Sequence, residues 1–296
     1  MMCRLFNIIA ESSPDRAATA SVGFEAFLDP VSIVLCTAGL CVLVIWLFWF
    51  GGFRALQKAP LRRHRGWFLF WPASVLFVWL FAMAAVQMGV TAIFDSHPQS
   101  FQESITYPAN AILETVFITA MLIIAQRAFA RRLRGFGLNL NHLKFDVSMA
   151  VIHLLAVFPL ILAGLWITLT LGRLLKGPEF TLEMHQSLGL LTDAGIGLQT
   201  LIAVFAVLIV PVFEELLFRG FLQTSLRSVS GKPWVAIVLT SLFFSVLHPP
   251  THIPALFMLS CGLGYAYERS GSLFRPILMH VFFNGFSVAV TVMLAR

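Results

Sequence analysis

Charge is what this sequence has least of. Asp, Glu, Lys and Arg make up 11% of the 296 residues, against 58% hydrophobic residues, where a soluble domain carries about 25% charged residues. So little charge cannot cover a water-exposed surface of this size, which excludes a soluble enzyme. The same apolar excess excludes a disordered chain. Cysteine is also scarce. Cys3, Cys36, Cys41 and Cys261 form no Cys-x-x-Cys pair, and three of them lie in apolar runs, so they read as small core residues and not as a disulfide frame or a thiolate metal site. No internal repeat is visible, which weighs against a transporter built from two related halves. Gly-x-Ser-x-Gly and His-Glu-x-x-His are both missing, so neither a serine nucleophile turn nor the zincin helix is present. No arginine–aromatic stripe accompanies the net charge of +6, and nucleic acid is not an expected partner.

What the chain does contain is long unbroken apolar runs, where an outer-membrane barrel would show segments of about ten alternating residues. Runs near 31–50, 67–93, 108–126, 147–172 and 195–226 are long enough to cross a bilayer at about 1.5 Å per residue. Three shorter ones follow near 234–248, 253–267 and 275–295; the first two of these are at the low limit for a crossing and suit the inside of a bundle. The expected fold is all-α: a polytopic transmembrane bundle of about eight spans, with a site inside the membrane. Residues 1–30 read as a polar leader, since the apolar stretch Leu5–Ala10 is too short for a signal-peptide core. Three spans fill 31–146, and 147–296 form a helical core.

The basic residues give the orientation. Fourteen lie in connections on one side, led by Arg54, Lys58, Arg62, Arg63 and Arg65 in one loop and Arg127, Arg131, Arg132, Arg134 and Lys144 in the next. Arg227, Lys232, Arg269 and Arg275 complete the set, and five bases lie on the opposite side. Positive charge stays cytoplasmic, so both termini are expected to face away from the cytoplasm. The remaining base, Arg219, falls inside an apolar run.

That run carries the chemistry. Glu214, Glu215 and Arg219 share one span, and unpaired they would cost about 8–10 kcal/mol on insertion. Glu215 and Arg219 are four apart, acid first, the favoured order for a helical ion pair. Glu214 is rotated by about 100° and faces another neighbour. An acid without a cation in such surroundings is suited to take a proton from water. Pro211, a turn earlier, removes a backbone hydrogen bond and can open room there.

The next run ends in Phe244-Ser245-Val246-Leu247-His248-Pro249-Pro250, and the last one places His280 and Asn284 on one helical face. Glu214 lies 16 residues before Ser230, and His248 lies 18 after it. Each is therefore about 24–27 Å of helix from that turn, so an antiparallel hairpin brings them level. His280 and Asn284 stand about 14–20 Å from the turn near Gly271, close enough to converge. For Glu215–Arg219 the plainer reading is a structural ion pair. His248 could be a helix-end histidine, and Asn284 interhelical glue. Phe244 reads as packing, and His153 and Glu114 as isolated hydrogen-bonding groups of the bundle.

The ordered set Glu-Glu-x-x-x-Arg at 214–219, Phe-x-x-x-His at 244–248 and His-x-x-x-Asn at 280–284 resembles the CPBP family of intramembrane proteases. That family contains the CAAX prenyl endopeptidases and the bacteriocin-processing and self-immunity proteins. The resemblance covers about residues 195–296. It implies that Glu214 and His248 bind and activate the attacking water, that His280 and Asn284 donate to the oxyanion, and that Glu215 and Arg219 orient the site. The 32 residues between His248 and His280 favour the compact bacterial branch. The implied substrate is a membrane-associated peptide or protein, with or without a prenyl group, approached from the cytoplasmic side of the bacterial inner membrane. Zinc held by Glu214, His248 and His280 is the alternative to a metal-free glutamate mechanism. The latter is preferred because Asn284 is a poor zinc ligand and a good oxyanion donor. A non-catalytic scaffold or immunity protein that keeps the same cluster is the alternative function.

Overall fold

The computed structural model describes residues 21–22, 30–56, 70–180, 182–183 and 196–294. Most of the polar leader and of the basic loop at 51–66 lies outside them, as do His64 and His185. Nine helices make up almost all of the described chain: α1 (Pro30–Trp49), α2 (Phe70–Phe94), α3 (Gln99–Ala128), the short α4 (Arg132–Phe136), α5 (Leu143–Lys176), α6 (Ile196–Ser230), α7 (Pro233–Val246), α8 (Ile253–Ser270) and α9 (Phe274–Leu294). The only strand pairing among the described residues is a two-residue antiparallel bridge, β1 (Ser21–Val22) to β2 (Leu182–Glu183). The chain is thus an all-α membrane bundle. Helices α1, α2, α3, α5 and α6 are long and apolar enough to cross a bilayer, while α7 and the stretch Phe274–Val290 of α9 are apolar but shorter.

Large apolar side chains point outward along these helices, with Phe48, Trp49 and Phe81 between 73% and 76% exposed. In water this would be prohibitive; against lipid it costs nothing, because lipid tails are as apolar as the side chains. Of the two short runs suited to the interior, only one is interior. Helix α8 packs against α5, α7 and α9 and buries Leu259, Gly262, Leu263, Gly264 and Ala266. Helix α7 instead turns Val238, Leu239, Leu242 and Phe243 outward and buries only the opposite face. The tight turns at Gly231 and Gly271 end α6 and α8 in the left-handed conformation, at φ 66° and 68°. Pro233 and Pro254 then open α7 and α8 at their first turns, where a missing N–H costs nothing.

Without a hydrophobic drive between helices in lipid, close backbone approach holds the centre together. Gly164 of α5 lies directly on the start of α8: a Cβ there would stand 2.7 Å from the backbone N and Cα of Ala255. Backbone atoms cannot rotate away. Gly164→Val is therefore expected to destabilise the fold by about 1–3 kcal/mol, measured by steric trapping or detergent unfolding. The cost should be clearly larger than that of the same change at Gly197, which meets nothing within 4 Å.

At one end of the bundle a buried polar belt ties α4–α6 to α8 and α9. Asp146 accepts from Arg275 at 2.8 and 3.1 Å and from Ser272 at 2.6 Å. Gln223 donates to Glu268 and to the carbonyl of Gly264, and Tyr267 donates to the Phe136 carbonyl. Arg275, read from sequence as a loop base, is in fact 6% exposed and paired.

Candidate active site

The site is built on a distortion of α6. Pro211 cannot donate a backbone hydrogen bond, and its ring crowds the preceding turn. The helix widens to π geometry over Phe205–Ile209, and the Val210 N–H reaches back to the Phe205 carbonyl. Ala206 therefore loses Val210 as its donor, and its next donor in this geometry would be residue 211, a proline. The orphaned carbonyl is taken by Asn284 of α9, whose Nδ2 donates to it at 2.8 Å. A second π segment, Leu216–Gln223, follows directly after Glu214 and Glu215, so both acids lie between two widened turns, a common setting for functional sites.

Glu215 is fully buried. Its Oε1 accepts from Arg219 Nη1 at 2.7 Å and from His280 Nδ1 at 2.9 Å. Because a carboxylate only accepts here, the proton lies on Nδ1, which turns Nε2 of His280 toward Glu214 Oε2 at 3.7 Å. That gap is too long for a direct hydrogen bond and short enough for a bridging water. Arg219 also donates Nη2 to Ser260 Oγ at 2.6 Å, and its guanidinium lies 4.9 Å over the ring of Phe244. The pair foreseen from the i, i+4 spacing is thus formed and extended into a network.

His248 stands beyond the last turn of α7, where Pro249 and Pro250 stop the helix. Its Nδ1 donates to the Phe244 carbonyl at 2.8 Å, so in the neutral ring the lone pair is on Nε2. His248 and Glu214 line one narrow pocket together with Leu76, Trp79, Phe213 and Leu247, and the space suits about one water. The level match expected from counting residues is therefore met.

Phe244, read from sequence as packing, is in contact with most of the cluster. Its ring lies 4.7 Å from that of His248, 6.0 Å from that of His280 and 5.2 Å from that of Phe218. Two further groups come from outside the motifs. Glu114 of α3 is 1% exposed, its Oε2 lacks a hydrogen-bond partner among the described residues, and it is within electrostatic reach of Glu214. Trp79 of α2 stacks on Phe213 at 4.9 Å. No local spacing marks either of them, because each meets the site only through helix packing.

Among the described residues no three His, Cys, Asp or Glu side chains come together as a metal site. Glu214 and His280 supply one facing pair, while Nδ1 of each histidine is committed to an oxygen of the protein.

These features define an integral membrane protein with a buried acid–imidazole site between helices. Residues 196–286 match the family model described as type II CAAX prenyl endopeptidase Rce1-like. That segment is similar to the CAAX endopeptidases of this description, and all three motifs lie inside it. Neither a curated protein nor a solved structure matches the chain.

Asn284 provides a test of how the site is assembled. Asn284→Ala leaves the Ala206 carbonyl without its donor, and about 1–3 kcal/mol of stability should be lost. Pro211→Ala restores an N–H at position 211, so in that background the cost of Asn284→Ala should shrink. A double-mutant cycle read by unfolding in detergent measures the coupling; simple additivity would refute this account of the widened turn.

Proposed function

We propose that the protein is an intramembrane endopeptidase that hydrolyses a peptide bond of a membrane-associated substrate by glutamate-activated water attack. The observation that carries this reading is the pocket shared by Glu214 and His248, with Nε2 of His280 one bridging water away from Glu214. Glu214 takes a proton from the water held between it and the imidazoles as the water oxygen attacks the scissile carbonyl. His248 Nε2 accepts the other hydrogen bond of that water and fixes its direction.

The tetrahedral oxyanion needs donors in a site from which bulk water is excluded. His280, anchored through Nδ1 to Glu215, donates from Nε2 as the imidazolium, in which both ring nitrogens carry a proton. Asn284 gives one of its two amide hydrogens to Ala206, and the other is available to the oxyanion. The proton on Glu214 then passes to the leaving nitrogen, the C–N bond breaks, and a carboxylate and an amine leave. Glu215 and Arg219 orient His280 and touch no substrate. No resident metal is part of this scheme; metal analysis of the purified protein checks that, and a stoichiometric ion would overturn it.

The substrate class follows the family description: a protein or peptide at the membrane, with a lipidated C-terminal tail as one candidate. The approach is from the cytoplasmic side, where the basic loops are expected. Peptide profiling of membranes holding either the parent or the Glu214→Gln protein tests the reading. Cleavage products present only with the parent support it. Identical profiles leave the non-catalytic scaffold as the better account.

A further inference from the structure

Trp79 belongs to α2, more than a hundred residues before the segment that matches the family, and no motif includes it. Its side chain is 4% exposed, and its indole Nε1 is buried with no hydrogen-bond partner among the described residues. Buried tryptophan N–H groups usually find an acceptor, and one left without an acceptor lowers stability. The ring is held in place by stacking on Phe213 at 4.9 Å and 27°, the residue immediately before Glu214. Trp79 also lines the pocket that Glu214 and His248 share. The lining thus carries two ring N–H groups. That of His248 is given to the Phe244 carbonyl, and the other is that of Trp79.

A peptide bond presented at the mouth of this pocket, whose space the attacking water fills, brings carbonyl oxygens to a lining with no room for further solvent. Each such oxygen needs a donor from the protein. We propose that the indole N–H of Trp79 donates to a main-chain carbonyl of the peptide substrate and so sets the scissile bond against Glu214. This rests on the protease reading. It makes α2 part of the substrate site. It also accounts for the buried, unpartnered donor, because the missing acceptor arrives with the substrate.

The test uses the full-length protein in nanodiscs and two fluorogenic peptides, one ending in a farnesylated cysteine followed by two aliphatic residues and a terminal residue, the other the same without lipid. Trp79→Phe keeps an aromatic ring on Phe213 and removes the N–H. Benzothienylalanine at position 79 keeps the full bicyclic shape and also removes it. Both should fold with near-parental thermal stability and lose about tenfold or more in kcat/KM, the equivalent of one hydrogen bond. Parental kcat/KM in both variants would overturn the proposal.

A second readout does not depend on turnover. In Glu214→Gln protein labelled with 15N at tryptophan, the Trp79 indole resonance is identified by its absence from the Trp79→Phe spectrum. It should shift on adding the peptide that the parent cuts or, if the parent cuts neither, the farnesylated one. If no peptide is cut and the resonance shifts, the protease reading fails and the binding role of Trp79 stands. A resonance that does not move while the peptide is bound, as shown by its retention on the discs, overturns the role of Trp79 whether or not cleavage occurs.

Discussion

Glu214→Gln is expected to lower kcat/KM by about 10²–10⁴-fold, the usual contribution of a positioned general base, with no loss of folded protein. The amide has nearly the shape of the acid, so pocket packing is preserved. What disappears is the ability to take a proton from water and return it to the leaving nitrogen. Among the described residues the nearest charged approach to the Glu214 carboxylate is His280 Nε2 at 3.7 Å, too long for a direct hydrogen bond, whereas Glu215 is bonded to two partners. Removal of the Glu214 carboxylate should therefore affect chemistry and leave stability nearly alone. Measurement of peptide cleavage beside thermal unfolding separates the two. Parental turnover in this variant would remove the proposed mechanism.

Arg219→Leu should show the opposite pattern. Breaking a buried ion pair by removing one partner costs about 3–5 kcal/mol, because the other charge is left uncompensated. Here the loss is compounded: Ser260 loses its donor, and Phe244 loses the cation over its ring. The single variant is expected to accumulate poorly in membranes. The double variant Glu215→Leu/Arg219→Met removes both charges together and should recover much of the stability, since apolar replacement of a buried pair is often neutral. It should not recover activity. His280 would have no acceptor for Nδ1, and nothing would hold Nε2 toward Glu214. Stability regained without turnover identifies the pair as the support of His280; turnover regained as well would show that the pair does nothing beyond packing.

The contrast between these two acids, adjacent in sequence, follows from helix geometry. A rotation of about 100° sends Glu215 into the packed centre beside Arg219 and His280 and sends Glu214 to the pocket wall. That much was legible from spacing, as was the meeting of Glu214 with His248 across the α6–α7 hairpin. The place of Phe244 was not: its four-residue step to His248 marks a shared face, but its contacts with Arg219 and His280 require three helices in their final arrangement.

Asn284 shows the same limit. Its position one turn after His280 suggested a donor to the site, yet one amide hydrogen goes to Ala206. The reason lies 73 residues away, in the inability of Pro211 to donate within a widened turn. Arg275 illustrates a third case: its sequence position next to a turn made it a topogenic charge, whereas Asp146, far upstream, makes it a buried structural cation.

By itself, the sequence determined that the chain is a helical membrane protein, where its apolar helices run, and which three of them carry the acid, imidazole and amide groups. Hydrophobicity and helical period are local properties, and each span satisfies its own backbone hydrogen bonds regardless of its neighbours. Only the tertiary structure decided which groups share a proton or a pocket, that α8 is interior while α7 faces lipid, and that Trp79 and Glu114 stand beside Glu214. Those outcomes depend on helix packing through small residues and on where a proline leaves a carbonyl without a donor, and such contacts join residues that no local pattern relates.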